Sequence, residues 1–212
     1  MNVILEDAIN ENLLFVGTDN NLYMSLDKGD SWETFSHGMP YVAVHDLVIQ
    51  NKANDLIVGT HGRSIYKVNV AKLQDLRPVI TAKSLHLYPI DKKTKSDRWG
   101  EKRNAWGTVI EPKVQIWFYS NSDKEVMLTI QNDKKATVFN KKVMAKKGLN
   151  SIDFDYNIAK NDSENWNKKD KKISIKEAKN GLYYLPVGKY LLLVQSQESK
   201  DSVDLEIVEN KK

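Results

Sequence analysis

Acid–base, metal or hydrolytic chemistry in this chain would have to be built from four histidines and a set of early carboxylates. These are His37, His45, His61 and His86, and Asp7, Asp19, Asp46 and Asp55. The histidines show neither H-x-x-x-H nor H-E-x-x-H spacing, so no helix face is marked as a zinc site. Glycoside hydrolysis needs two carboxylates about 5–10 Å apart, and linear spacing alone pairs none of the four. The absence of cysteine excludes disulfides, thiolate zinc sites, iron–sulfur clusters and a cysteine nucleophile. The chain contains no G-x-S-x-G elbow, no Walker A motif and no G-x-G-x-x-G. Neither a metal nor a cofactor is therefore expected. His61-Gly62-Arg63 is the most chemical-looking tripeptide, since His and Arg at a hairpin tip could face a ligand. Trp99 and Trp106, each beside a glycine, could stack on a sugar ring or pin a linker against a neighbouring domain.

The elements that would position these residues come from an internal repeat. Leu14-Phe15-Val16-Gly17-Thr18, followed by Leu22-Tyr23, recurs as Leu56-Ile57-Val58-Gly59-Thr60, followed by Ile65-Tyr66. Each copy reads as strand, tight polar turn, strand. Val3–Leu5 and Leu47–Ile49 are the preceding strands of the two copies. Gly17 and Gly59 are 42 residues apart, within the roughly 40–45 residue period of four-stranded propeller blades.

Between the copies lies Ser25-Leu26-Asp27-Lys28-Gly29-Asp30-Ser31-Trp32. It fits S-x-D-x-G-x-[ST]-W, the Asp-box of the bacterial neuraminidase repeat. Ser25, Asp27 and Ser31 can bond backbone amides in a tight turn, Gly29 can take positive φ, and Trp32 can plug the gap beneath. The motif is structural rather than catalytic.

Gly38-Met39-Pro40, Val44-His45-Asp46-Leu47 and Asp55–Tyr66 resemble the closing blades of large bacterial Asp-box propeller proteins. That group is related to sortilins and is often labelled glycosyl hydrolase-like. The resemblance implies an extracellular or cell-envelope parent much longer than this chain, with any catalytic residues on earlier blades. A propeller needs about 4–8 blades to close, whereas residues 1–75 supply fewer than two. The chain accordingly reads as a C-terminal fragment whose partners are the missing blades of the parent, or as a subunit completed by another copy of itself. The second copy lacks an Asp-box and a fourth strand.

A compositional break near residue 76 separates two parts. Residues 1–75 hold 5 basic and 10 acidic residues, leaving 27 basic and 18 acidic in 76–212 within the overall charge of +4. The polar segment 76–111, with Pro78 and Pro89, reads as a linker. From Pro112, strands of period 2 are expected at Val114–Tyr119, Val126–Gln131, Thr137–Val143, Ser151–Asp155, Tyr190–Gln195 and Val203–Val208. Residues 112–212 thus suit a small β-sandwich and are similar to the immunoglobulin-like module that follows such propellers. The carrying features are Gly148–Ile152 and the P-x-G-x-Y turn Pro186–Tyr190. Residues 157–180, with seven lysines against four acidic residues and a lone Trp166, read as a lysine-rich loop with a helical turn near Ile173–Lys179.

The expected fold is all-β: a partial β-propeller of about two blades followed by an immunoglobulin-like β-sandwich. Two functions stay open. One is a non-catalytic binding or scaffold piece whose ligand is a protein or a glycan. The other is the C-terminal portion of a glycoside hydrolase with its active site upstream. Nucleic acid is not expected, because no arginine-rich stripe accompanies the lysines. No apolar run approaches the roughly 18 residues of a membrane span, and no signal peptide is visible at the N-terminus.

Overall fold

β-branched and aromatic residues alternating with polar ones, between turns rich in Asp, Asn and Gly, dictate extended structure. The computed structural model, which describes residues 1–36, 38–104, 106–169 and 175–210, is accordingly all-β. His37 lies outside the described residues. The chain divides into two compact units, Met1–Ala82 and Lys83–Lys212.

In the first unit each copy of the repeat is an antiparallel meander. The first sheet runs β1 (Val3–Glu6), β2 (Leu14–Gly17), β3 (Leu22–Ser25) and β4 (Glu33–Thr34) in that spatial order. The second runs β5 (Val44–Gln50), β6 (Asp55–Thr60) and β7 (Ile65–Asn69). Two short helices, α1 (Ala71–Gln74) and α2 (Pro78–Thr81), follow. The turn after β2 is closed by the Thr18 hydroxyl, which accepts from the amides of Asn20 and Asn21. That turn also receives the second sheet: the amides of Val42 and Val44 donate to the carbonyls of Asn20 and Thr18.

Gly17 is where the two sheets meet. A Cβ built on it would lie 2.6 Å from Val44 Cγ1, 2.7 Å from Val3 Cγ1 and 2.9 Å from the Val44 carbonyl oxygen. Only a residue without a side chain admits β5 at that separation. Gly59 holds the same place in the second copy, yet its three nearest contacts all come from Asp46 of its own sheet partner, none closer than 3.4 Å.

Helix α1 is tied beneath the first sheet by a buried polar latch. Asp7, Asn10 and Gln74 are all buried. The Asp7 carboxylate accepts from the amides of Ile9 and Asn10 and from Gln74 Nε2, at 2.6–2.9 Å. Asn10 Nδ2 donates to the carbonyls of Leu73 and Leu76. Buried polar groups are tolerated when they are paired, and of this latch only Gln74 Oε1 lacks a partner among the described residues.

The second unit begins with β8 (Leu85–Leu87) and β9 (Lys93–Thr94), followed by β10 (Val114–Ser120), β11 (Lys124–Asn132), β12 (Thr137–Ala145) and β13 (Gly148–Phe154). Then come β14 (Asn157–Ile158), α3 (Lys160–Lys169), β15 (Tyr183–Tyr184), β16 (Gly188–Gln195) and β17 (Lys200–Val208). A three-stranded sheet orders β13-β10-β8, and a five-stranded one orders β12-β11-β16-β17-β9. Inward residues of both share one core: Ile116 and Phe118 of β10, Leu128 and Ile130 of β11, Leu192 and Val194 of β16. The Pro186–Tyr190 turn is held by the Tyr190 hydroxyl, which donates to the Pro186 carbonyl at 2.7 Å.

Two expectations are corrected here. The 76–111 segment is not a linker. Its residues from 83 onward belong to the second unit, which therefore starts well before residue 112. β8 pairs with β10, β9 runs parallel to β17, and Trp99 lies in the core. The charged residues around them hid this, because Lys92 and its neighbours turn their polar ends outward; Lys92 pairs with Glu206 at 2.7 Å. Residues 157–180 are likewise not simply a loop. The helix is α3 rather than a turn near Ile173–Lys179. Residues 173 and 174 lie outside the described residues, and 175–179 carry an isolated bridge and a turn. Ser163 and Trp166, three apart on α3, are its buried pair.

Replacing Gly17 by alanine should destabilise the first unit by about 1–3 kcal/mol, because overpacking forces strand shifts. The Gly59→Ala change should stay within about 0.5 kcal/mol. Amide hydrogen exchange across β2 and β5 reads the difference; equal protection loss in both variants would show that Gly17 is not the closest joint.

Candidate functional site

The Ser25–Trp32 turn connects β3 to β4, and its side chains replace the hydrogen bonds that a tight turn cannot make with its own backbone. Ser25 Oγ accepts from the Gly29 amide at 2.8 Å and donates to Asp27 Oδ1 at 2.7 Å. Asp27 in turn accepts the amide of Ser31 at 2.8 Å and the Ser31 hydroxyl. Lys28 and Gly29 both have positive φ, and the Trp32 ring lies against Gly29. Trp32 remains 40% exposed, so it covers the turn from outside rather than plugging a buried gap. The bonds from the Ser31 hydroxyl, the Ser31 amide and the Ser25 hydroxyl hold the Asp27 carboxyl down from its ordinary 3.8 to about 2.

His61-Gly62-Arg63 forms the exposed tip of the β6–β7 hairpin, with positive φ at Gly62 and Ser64. The His61 ring meets His45 edge-on at 5.5 Å between centroids. His45 reaches that position through a register shift between Val44 and Asp46. The early carboxylates are dispersed into local roles. Asp7 belongs to the latch, Asp19 accepts from Asn2, and Asp46 accepts from the Leu47 amide. Lys67, with Asn69, holds the Asp55 carboxyl below the usual range. Among the described residues, no three His, Asp or Glu side chains are grouped so as to hold a metal ion.

The two tryptophans considered for sugar stacking separate. Trp106 is 98% exposed at the end of a hairpin in which Lys102 pairs with Val109. Trp99 is not an exposed stacking surface: it is 7% exposed and packs in the core on Tyr156 and Tyr184. Its burial was concealed by polar neighbours, since the nearby strand β9 finds its place only by pairing with the distant β17.

One group was missed in the sequence. Lys95, four residues before Trp99, places Nζ 4.4 Å from the Trp99 ring centroid and 5.9 Å from that of Tyr184. Its Nζ donates to the Leu185 carbonyl at 2.9 Å. Burial lowers this amine to about 8, with Asp97 opposing the shift. The K-x-x-x-W spacing was the available signal, but Leu185 and Tyr184 are about 90 residues away in the chain.

No family model matches the chain, and no curated protein does. A solved structure similar to it comes from work on PorZ, described as an essential bacterial surface component of the type-IX secretion system of Porphyromonas gingivalis. The match has 9% identity and a TM-score of 0.32, and it covers 97% of this chain but 22% of that one. The chain thus spans about a fifth of the length of that structure.

Protection of the Gly29 and Ser31 amides should persist down to about pH 4 and be lost as pH falls towards 2. A depressed carboxylate stabilises the fold above its unfolded value and stops doing so once it is protonated. NMR titration of Asp27 checks this, and Ser31→Ala should move the midpoint up towards 3.8. For the tryptophans, Trp99→Ala should destabilise by about 3–5 kcal/mol. Trp106→Ala should stay within about 0.5 kcal/mol. Urea unfolding of the two variants measures the contrast.

Proposed function

We propose that this chain is a non-catalytic binding or scaffold piece that works by receiving a further β-sheet on its second repeat. The supporting observation is the inequivalence of the two copies. In the first, the face around Gly17 is covered by β5 of the second. In the second, the corresponding face carries Val48 and Ile65, which are 54% and 71% exposed. Among the described residues, no strand pairs with the outer edge of β7, whereas β3 in the first copy is paired by β4. Exposed apolar sheet faces and unpaired edges are natural docking surfaces for another sheet.

In this reading the first unit is a partial propeller of about two blades closed at one turn by an Asp-box, and the incoming sheet is a blade of a longer parent or of another copy. The second unit is an immunoglobulin-like sandwich. The Tyr190 hydroxyl bonded back to Pro186 supports it, as a tyrosine that pins its own strand start. The Asp-box resemblance favours an extracellular or cell-envelope setting. No described helix is long and apolar enough to cross a membrane. Trp106 at its hairpin tip is the residue best placed to touch a protein or glycan ligand.

Light scattering on the full chain at rising concentration tests the docking face. Without a partner sheet, the open faces should associate with one another, and Val48→Glu with Ile65→Lys should abolish the association while leaving unfolding unchanged. A wild-type chain that stays monomeric to its solubility limit would overturn this reading. Incubation with polysaccharides should give no hydrolysis. Turnover lost on a single Asp→Ala change would show instead that the chain is catalytic.

A further inference from the structure

We propose that Lys95 is a nucleophilic amine that captures small aldehydes with an aromatic or aliphatic body, forming a Schiff base in the cavity it lines. That cavity is about 420 Å³ and is walled by Trp99, Tyr184, Pro186, Val187 and Ile175. These residues form its apolar side, Ser96, Asp97 and Lys176 line the rest, and it is large enough for a ring-sized ligand. Lys95 Nζ is half-buried within it, held by the Leu185 carbonyl above the face of Trp99.

The surroundings satisfy an amine better than an ammonium. An ammonium has three donors, and among the described residues Nζ has one hydrogen-bond acceptor, the Leu185 carbonyl, and no carboxylate within ion-pair distance. The ring faces of Trp99 and Tyr184 favour the charged form, as does Asp97. Lys176 lines the same cavity and adds a second positive charge. Burial disfavours the charged form and is the largest influence, placing the amine at about 8. At pH 7 about one molecule in ten then carries a neutral amine, against about one in 3,000 for an ordinary lysine. A lysine desolvated in an apolar pocket is activated in this way for attack on carbonyls.

The chemistry balances without an oxidant or reductant. The nitrogen lone pair attacks the carbonyl carbon, a C–N bond forms, and the carbonyl π pair moves to oxygen, which takes up the proton lost by nitrogen. That oxygen then departs as water with the second proton of nitrogen, whose lone pair closes the C=N bond. One amine and one aldehyde give one imine and one water.

The test treats the folded full chain with benzaldehyde and cyanoborohydride, which traps the imine as a secondary amine, and follows each lysine by peptide mass spectrometry. At pH 7, Lys95 should be labelled at least tenfold faster than the median lysine. Lys95→Arg should remove that fast phase, while Lys176→Arg should retain it. Labelling of Lys95 at or below the median rate would overturn the proposal, as would a fast phase surviving Lys95→Arg. A preference seen with formaldehyde but not with benzaldehyde would also overturn it, since the apolar walls would then play no part. The assignment does not depend on the docking role of the first unit.

Discussion

The first unit depends on how closely one antiparallel sheet can approach the next. Stacked sheets ordinarily lie about 10 Å apart, with side chains filling the gap. At Gly17 that filling is omitted, and Val44 of the second sheet fits against the bare backbone. The lead-in residues 42–44 then bond to the turn that ends β2, so strand approach and backbone pairing reinforce each other. Phe15, Leu22, Val44, Leu56 and Val58 are buried in this unit. The position of α1 follows from this arrangement, since the Asp7–Asn10–Gln74 latch can grip it only once the first sheet is in place.

The polar residues of the chain are spent largely on structure. Asp27 and Ser25 carry a turn whose backbone runs through two positive-φ residues. Asp7 fills a buried site with three donors. Asn167 fastens Ile175 by two hydrogen bonds, its Nδ2 donating to the carbonyl and its Oδ1 accepting the amide. Each could have been mistaken for a chemical group on residue type alone. Lys95 differs because its surroundings satisfy only part of what its charged form requires, and because it borders a cavity.

The two units also divide the chain's charge, acidic in the first and basic in the second. Many of the basic residues lie on exposed edges and turns of the second unit, where Lys146 pairs with Asp123 and Lys142 with Glu125. Charges on such edges discourage strand addition. The open face of the first unit has less of this protection, with Val48 and Ile65 beside a single Lys67–Asp55 pair.

The strands were legible from the sequence because their signal is local. Alternation with period 2, turn residues at the ends and the 42-residue echo of L-F-V-G-T are all visible without a fold. The Ser25–Trp32 turn was legible for the same reason, since the side-chain hydrogen bonds of Ser25, Asp27 and Ser31 fall within a few residues. Tertiary structure decided everything that depends on distant partners. Residues 83–111 look like a linker until β8 finds β10 and β9 finds β17, and Trp99 and Trp166 look exposed until the core closes over them. Lys95 becomes distinctive only when Tyr184 and Leu185 arrive from the far end of the chain. A residue's type limits what chemistry it can do, but burial and unmet hydrogen bonds decide whether it is left free to do it, and both are made by contacts the sequence does not display.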